Sequence, residues 1–251
     1  MVKNSLLSVW QNELFKIFKK HRVKMIMLLL LSAVTVLPKS LEYWKLRAQG
    51  QPVPYPLGAF TLAIFVYFYI PVFVVFICTD IFSGEYSDGT IKITLLAPVS
   101  RLKVFVGKFL AVLTFIACML LVGFVFSVLE YTADIKAVFG SGGLFFIIAL
   151  SYVSAMLPIS VFALMSIVVS NLFENTNFSF LLIIVLSAVF LAIDVFYPRF
   201  SFVFSFMDFN FPFHIISGRS ILGAFNVIIS LVGYLVLFFS IAYSLFENKE
   251  I

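Results

Sequence analysis

Side chains able to perform metal or nucleophilic chemistry are few in this sequence, and they do not cluster. Its two histidines, His21 and His214, lie outside the long apolar runs. Asp80 and Asp194 follow different runs, whose ends are expected on opposite sides of a membrane, so they cannot form an aspartyl pair. Neither H-E-x-x-H nor G-x-S-x-G occurs. We therefore predict no catalytic residue and no metal site, and a protein that is not an enzyme.

The densest group of charged residues is the segment Asp80–Lys108, which reads DIFSGEYSDGTIKITLLAPVSRLKVFVGK. It holds three of the 12 acidic and four of the 17 basic residues. Gly84 and the Asp-Gly pair at 88–89 predict turns, Pro98 breaks the next stretch, and a helix is expected to begin near Arg101. We interpret the segment as an ordered cytosolic loop. The alternative is a solvated connector with no specific role.

Composition defines the environment of these charges. The chain of 251 residues is 63% hydrophobic and only 12% charged, with 33 Phe and a formal net charge of +5. A soluble domain has about 25% charged residues, so this chain cannot cover a water-facing surface. This excludes a soluble enzyme, a nucleic-acid-binding protein and a disordered chain, and it predicts an all-α polytopic membrane protein. The two cysteines lie in apolar runs and are expected as buried thiols.

Six apolar runs are predicted to cross the bilayer as helices, although the first is short for that purpose. The uncharged stretch 137–173 is too long for one upright helix and too short for two with a turn. We interpret it as one span that contains Pro158. The six spans are predicted at 23–37, 57–79, 105–129, 144–169, 178–193 and 220–246.

Six spans place both termini on the same side of the membrane. If that side is the cytosol, eleven of the 17 Lys and Arg residues face it and six face outward, which agrees with the positive-inside rule. The prediction is a single transmembrane domain over 1–251 in a bacterial plasma membrane, with both termini cytosolic. The segment before the first span is too long and too regular for a signal peptide, so no cleavage is expected.

The N-terminal segment 4–20 has the period of an amphipathic helix. Trp10, Leu14 and Ile17 lie on its apolar arc, Phe15 is the main exception, and the end of the helix is basic. Such a helix lies in the plane of the membrane interface. These three residues are therefore predicted to anchor it among membrane lipids. The alternative is a surface helix packed on the protein.

The string GEYSDGTIKITLLAPVSRLKVFVGK resembles the loop between the second and third spans of permeases in the type 2 ABC exporter family. In that family a Glu, a Gly-Thr pair, a Pro, an Arg and a Lys recur in this order. The predicted layout, an amphipathic helix followed by six spans with cytosolic termini, is similar as well. The matching residues here are Glu85, Gly89, Thr90, Pro98, Arg101 and Lys108.

The resemblance implies the permease subunit of an ATP-driven exporter. Such permeases work in pairs, as two copies or two paralogues, on a dimer of cytosolic ABC ATPase subunits that bind ATP and Mg²⁺. It also implies a coupling role for the six matching residues in the loop 80–104, where Glu85 could contact a base of the partner or of the N-terminal helix. The chain itself needs no cofactor, because the Gly-Lys at 107–108 lacks the rest of the phosphate-binding motif G-x-x-x-x-G-K-[ST].

The predicted spans carry no charge near their middle. This argues against an ion-coupled secondary transporter and favours an amphipathic or lipophilic cargo, such as an antimicrobial peptide, a peptide toxin or a drug. A non-transporting immunity or scaffold protein is the other alternative. In the outer segment 195–219 alternating phenylalanines form an aromatic belt or line the cargo exit. The residues of this exit lining are Phe200, Phe202, Phe204 and Phe206.

Overall fold

The computed structural model describes residues 6–20, 45–46, 48–49, 61–62, 65–89, 99–131, 142–196 and 221–249, and every regular element in these ranges is helical. The predicted first span, Thr90, Pro98 and the four phenylalanines of the predicted exit lining lie outside the described residues. The principal helices are α1 (6–20), α2 (Phe65–Ser87), α3 (Arg101–Tyr131), α4 (Gly142–Leu172), α5 (Thr176–Phe196) and α6 (Ile221–Asn248).

Four of these helices are long and apolar enough to cross a membrane, and α5 has a shorter apolar stretch, Thr176–Phe190. The uncharged stretch 137–173 contains one helix, α4, with Pro158 inside it. The all-helical class is thus confirmed, whereas the count of six spans stays a prediction. The four candidate spans are Phe65–Ser87, Arg101–Val128, Ile148–Leu172 and Phe225–Asn248.

Helix α2 extends further than the sequence predicts. The span predicted at 57–79 ends at Thr79, but the helix continues to Ser87. The turn predicted at Gly84 is wrong, because Gly84 has helical φ and ψ values. A Cβ atom there would meet Thr176 of α5 at an ordinary van der Waals distance, 3.8 Å from its Oγ1. The turn at 88–89 is confirmed: Gly89 has a φ of 67° and its amide donates to the carbonyl oxygen of Tyr86 at 3.1 Å.

Two turns of α2 are wider than an α-helix. Phe65–Tyr69 and Thr79–Gly84 are π-helical, a form that is frequent at functional sites. The first comes directly before the α-helical segment Ile70–Cys78, which has Pro71 in its first turn. Proline has no backbone N–H to donate, so a change of helix type at this point avoids a normal helical hydrogen bond that Pro71 could not make. The second contains Asp80 and leads into Glu85, so the wider turn lies directly before the charged residues of α2.

The core lies where α2, α3 and α4 cross, and it depends on a glycine. A Cβ atom at Gly123 of α3 would lie 3.0 Å from Cδ1 of Phe65 and 3.1 Å from Cε1 of Tyr152. Small residues allow membrane helices to approach closely in this way. The hydroxyl of Tyr152 lies 2.7 Å from that of Ser127, so both buried groups have a hydrogen-bond partner.

Gly123→Val should therefore destabilise the protein, because overpacking a tight contact costs about 1–3 kcal/mol. Thermal unfolding in detergent micelles measures the effect. Gly233→Val is the matched control, since nothing lies within 4 Å of a Cβ atom there. Equal unfolding temperatures for the two variants would contradict the close crossing.

Candidate functional site

Five segments meet at one end of the helix bundle, which we call the charged end. They are the C-terminal half of α1, the end of α2, the start of α3, the loop 173–175 and the end of α6. Ion pairs and hydrogen bonds, described below, connect each of these segments to another. The segment that the sequence identified as a coupling loop supplies two of these five segments and thus lies in contact with three other parts of the chain.

A buried lysine is at the centre of this end. Lys108 of α3 is completely buried, and its Nζ lies 2.7 Å from Oε2 of Glu85 in α2 and 3.4 Å from Oε2 of Glu13 in α1. The same nitrogen lies 3.5 Å from the carbonyl oxygen of Ile81. A charge removed from water is tolerated only when it is paired and hydrogen-bonded. Lys108 therefore requires carboxylates from two other helices.

A second lysine completes the arrangement. Lys16 Nζ of α1 lies 2.9 Å from Oε1 of Glu13 and 3.0 Å from Oε1 of Glu85. The carboxylate of Glu85 thus bridges two lysines from different helices. We call Glu13, Lys16, Glu85 and Lys108 the ionic junction; its two acids and two bases balance in charge.

A further ion pair connects α1 with α2, at a later position in α1. Lys20 Nζ lies 2.7 Å from Oδ1 of Asp80 in α2. A cleft of about 640 Å³ lies between these two helices, with charged and apolar side chains along its walls. The described residues contain no group of three or more His, Cys, Asp or Glu side chains that could hold a metal ion.

The burial of the side chains determines how much each ion pair contributes to stability. The side chains of Lys16 and Lys20 are 51% and 58% exposed, and exposed pairs contribute about 0–1 kcal/mol. Those of Lys108, Glu13 and Glu85 are 0%, 3% and 12% exposed. Removing one member of a buried pair costs about 3–5 kcal/mol, because the remaining charge stays buried.

The charge on Lys16 persists across the physiological range. Burial by itself lowers its pKa, but Glu13 and Glu85 act in the opposite direction and the net result is a raised pKa. Because the folded state holds the proton more tightly, its contribution to stability is complete below the ordinary pKa of lysine. It is lost only when the pH rises through the raised pKa, in the alkaline range.

Helix α1 is also held by uncharged contacts. The indole N–H of Trp10 donates to Oγ1 of Thr114 in α3 at 3.1 Å. A Cβ atom at Gly107 would lie 2.7 Å from Cγ1 of Val9, so only a glycine allows this approach. The side chain of Ile17 is buried in the core.

The predicted membrane anchors of α1 therefore pack on the protein. Trp10, Leu14 and Ile17 belong to the core or contact it. This matches, for these three side chains, the alternative of a helix packed on the protein. The position of α1 in the membrane interface stays a prediction. The exposed apolar side chains of this helix are Leu7, Phe15 and Phe18.

The loop between α4 and α5 joins the charged end through hydroxyl groups. Ser83 Oγ in α2 donates to the carbonyl oxygen of Phe173 at 2.8 Å, and Ser87 Oγ lies 3.4 Å from Oγ1 of Thr176. Asn175 begins α5 as an N-cap, since its Oδ1 accepts from the backbone amide of Phe178 at 3.2 Å. In the sequence, an asparagine before an apolar run is a recognisable signal for the start of a helix.

The structure brings together part of the coupling set predicted from the sequence. Glu85 and Lys108 form an ion pair, and of the two contacts considered for Glu85, the one with the N-terminal helix is present. Gly89 lies in an exposed turn. Arg101 is exposed as well, and its guanidinium donates to the carbonyl oxygen of Glu247 in α6. The coupling role of these residues stays a prediction.

Sequence reasoning missed Glu13, although a signal was available. Glu13 lies between Trp10 and Ile17 at helical spacing, on the side of α1 that faces the protein. A carboxylate on an otherwise apolar face needs a buried cation. The expected partner is a lysine such as Lys108, which also interrupts an apolar stretch.

Comparison with known protein families supports the resemblance found in the loop. A family model described as "ABC-2 family transporter protein" matches residues 11–190. This range includes the whole ionic junction and helices α2 to α4. No curated protein matches the chain significantly.

Lys108→Met should destabilise the protein by up to about 3–5 kcal/mol, because Glu13 and Glu85 would stay buried with only the half-exposed Lys16 as their cation. Lys103→Met, on the exposed side of the same helix, is the control and should leave stability unchanged. Thermal unfolding in detergent micelles distinguishes them. If the two variants unfolded at the same temperature, the ionic junction would not stabilise the fold.

Proposed function

The chain belongs to the ABC-2 family of transporter proteins as a membrane permease subunit, and on this premise we propose that it exports an amphipathic or lipophilic cargo with energy from a separate ATPase. The partner would be a dimer of cytosolic ABC ATPase subunits that binds ATP and Mg²⁺. A second permease, identical or a paralogue, would complete the transporter. The membrane would be the bacterial plasma membrane, with the charged end in the cytosol.

The distribution of charge supports this orientation. In the four candidate spans, the charged residues are Asp80 and Glu85 in α2, the basic residues of the start of α3, and Glu247 in α6. All of them lie at the charged end. The remaining length of the four candidate spans carries no charge, as lipid contact requires, and Glu130 of α3 lies beyond the end of its span. A cytosolic partner would therefore bind at one end of the described bundle, the charged end.

The ionic junction suggests how a movement of the partner would enter the membrane. The turn at Asp88–Gly89 directly follows α2, without a flexible connection. A displacement there would move α2 as a rigid element. Glu85 would carry the displacement to α3 through Lys108 and to α1 through Lys16. Rigid-body movement of packed elements is a general mode of such transitions.

An open apolar groove supports a lipophilic cargo. A space of about 290 Å³ lies between α3 and α4, and its walls are almost entirely apolar. No fixed charge lines it, so a small ion would gain nothing there to replace its hydration. Among its lining residues are Ala117, Leu121, Phe124, Tyr152 and Met156.

The proposal is tested by purifying the protein with candidate ABC ATPase subunits from the same organism. The complex, reconstituted in lipid vesicles, should move a fluorescent amphipathic peptide or drug only when ATP and Mg²⁺ are present. Transport driven by an ion gradient without ATP would favour the secondary transporter. Tight binding of a toxic peptide without transport would favour the immunity or scaffold protein.

Glu85→Ala should leave the protein folded and inserted but uncouple ATP hydrolysis from export. The variant should lose stability but still fold, because Lys108 keeps Glu13 as a partner at 3.4 Å. Coupling is expected to fail because the ion pairs of Glu85 with Lys16 of α1 and Lys108 of α3 are lost. The measurement is the ratio of cargo moved to ATP hydrolysed in vesicles.

Glu42→Ala is the control for this ratio, because the sequence places Glu42 in the first outer loop. We expect wild-type coupling from the control. Normal export by the Glu85→Ala complex would remove Glu85 from the coupling role.

A further inference from the structure

The segment Glu85–Arg101, which contains most of the predicted coupling residues, is contacted near both of its ends by the C-terminal end of α6. Tyr86 lies at the start of the segment Glu85–Arg101, and Arg101 is its last residue. Both contact the C-terminal end of α6, through Lys249 and the backbone of Glu247. No sequence motif pointed to these last residues of the chain.

We propose that the C-terminal end of α6 is a positioning element of the coupling apparatus, in which Lys249 and Glu247 make α6 follow the movement of the segment between Tyr86 and Arg101. This inference rests on the proposed function. It adds α6 to the helices that an ATPase partner would move. Lys249 and Tyr86 act here as positioning residues.

The contact between Lys249 and Tyr86 is a desolvated cation on an aromatic face. Nζ of Lys249 lies 3.7 Å from the ring centroid of Tyr86. The nitrogen is buried and has no hydrogen-bond acceptor among the described residues. Burial lowers the pKa of Lys249, while the charge of Glu174 acts in the opposite direction. The ring face therefore supplies attraction that water does not.

The contact at Arg101 fits the end of a helix. Helix α6 ends at Asn248, and its last carbonyl groups have no partner within the helix. The guanidinium of Arg101 donates to one of them, the carbonyl of Glu247. A cation at a helix C-terminus is also favoured by the helix dipole. Arg101 thus joins the first residue of α3 to the last turn of α6.

Aromatic packing makes this end of α6 rigid. Phe246 is buried, and its ring centroid lies 6.2 Å from that of Phe82 in α2 and 5.6 Å from that of Phe105 in α3. Asn171 of α4 donates to the carbonyl oxygen of Ala242 at 3.3 Å. The last turns of α6 therefore cannot shift independently of the three helices that they contact.

The rest of α6 packs on the bundle with one face and exposes the other. Leu231 is buried, whereas large apolar side chains from Phe225 to the middle of the helix are exposed, and a Cβ atom at Gly233 would meet nothing within 4 Å. A rotation at the charged end would be carried along the helix as a displacement of this exposed face. The exposed side chains include Phe225, Ile229, Val232 and Val236.

The test uses pairs of variants in the complex with its ATPase, reconstituted in vesicles. Tyr86→Leu and Lys249→Met remove the cation–π contact but leave an apolar side chain at each position, and each should lower the cargo moved per ATP by about tenfold, within the usual range of coupling between sites. Tyr86→Phe and Lys249→Arg keep an aromatic face and a cation, and they should restore the wild-type ratio. A merely structural role would instead lower complex yield and thermal stability in Tyr86→Leu and Lys249→Met and leave the cargo moved per ATP unchanged in the complex that forms.

A distance measurement tests the movement itself. Cys118 of α3 is exposed, so the prediction of a buried thiol is wrong for this residue and holds for Cys78. Spin labels on Cys118 and on Val236→Cys of α6 report the separation of these helices. ATP should change this distance in the complex with native Tyr86 and leave it unchanged with Tyr86→Leu. An equal change in both would overturn the inference.

The two proposals fail in different ways. Export that needs no ATPase would overturn both the proposed function and this inference. ATP-dependent export at a normal ratio in Tyr86→Leu and Lys249→Met would overturn the inference alone.

Discussion

The arrangement of the charged end depends on the burial of one ammonium group. Lys108 has no contact with solvent, and an isolated charge in such a place would cost several kcal/mol. The fold avoids this cost only by bringing Glu85 and Glu13 to the same point. These carboxylates belong to α2 and α1. The position of both helices relative to α3 therefore follows from the need of Lys108 for carboxylate partners.

This requirement explains features that would otherwise be unrelated. The extension of α2 to Ser87 carries Glu85 to the lysine. The glycine at 107 admits α1 close enough for Glu13 to reach it. Lys16 then neutralises the second oxygen of Glu85 and leaves the group balanced. The result is a rigid contact between three helices at the end where a cytosolic partner of an ABC-2 permease would bind.

Features encoded by neighbouring residues could be predicted from the sequence, whereas features that depend on the packing of helices could not. The Asp-Gly pair at 88–89 produced the expected turn, because glycine readily adopts the left-handed conformation. The same reasoning failed at Gly84, which has ordinary helical angles because α2 continues through it. The helical period of α1 was visible, but it did not show that Trp10, Leu14 and Ile17 pack on the protein. A helical wheel shows that a face is apolar and does not show what covers it.

The sequence by itself determined the all-helical membrane class, the single helix within 137–173 and the family, because hydropathy and a loop motif are properties of neighbouring residues. Only the tertiary structure decided which charges pair. Glu85 and Lys108 are 23 positions apart in the chain, and Lys16 and Glu85 are 69 apart. No local pattern encodes a contact across such distances. It exists because three helices pack around a cation that cannot remain alone in an apolar interior.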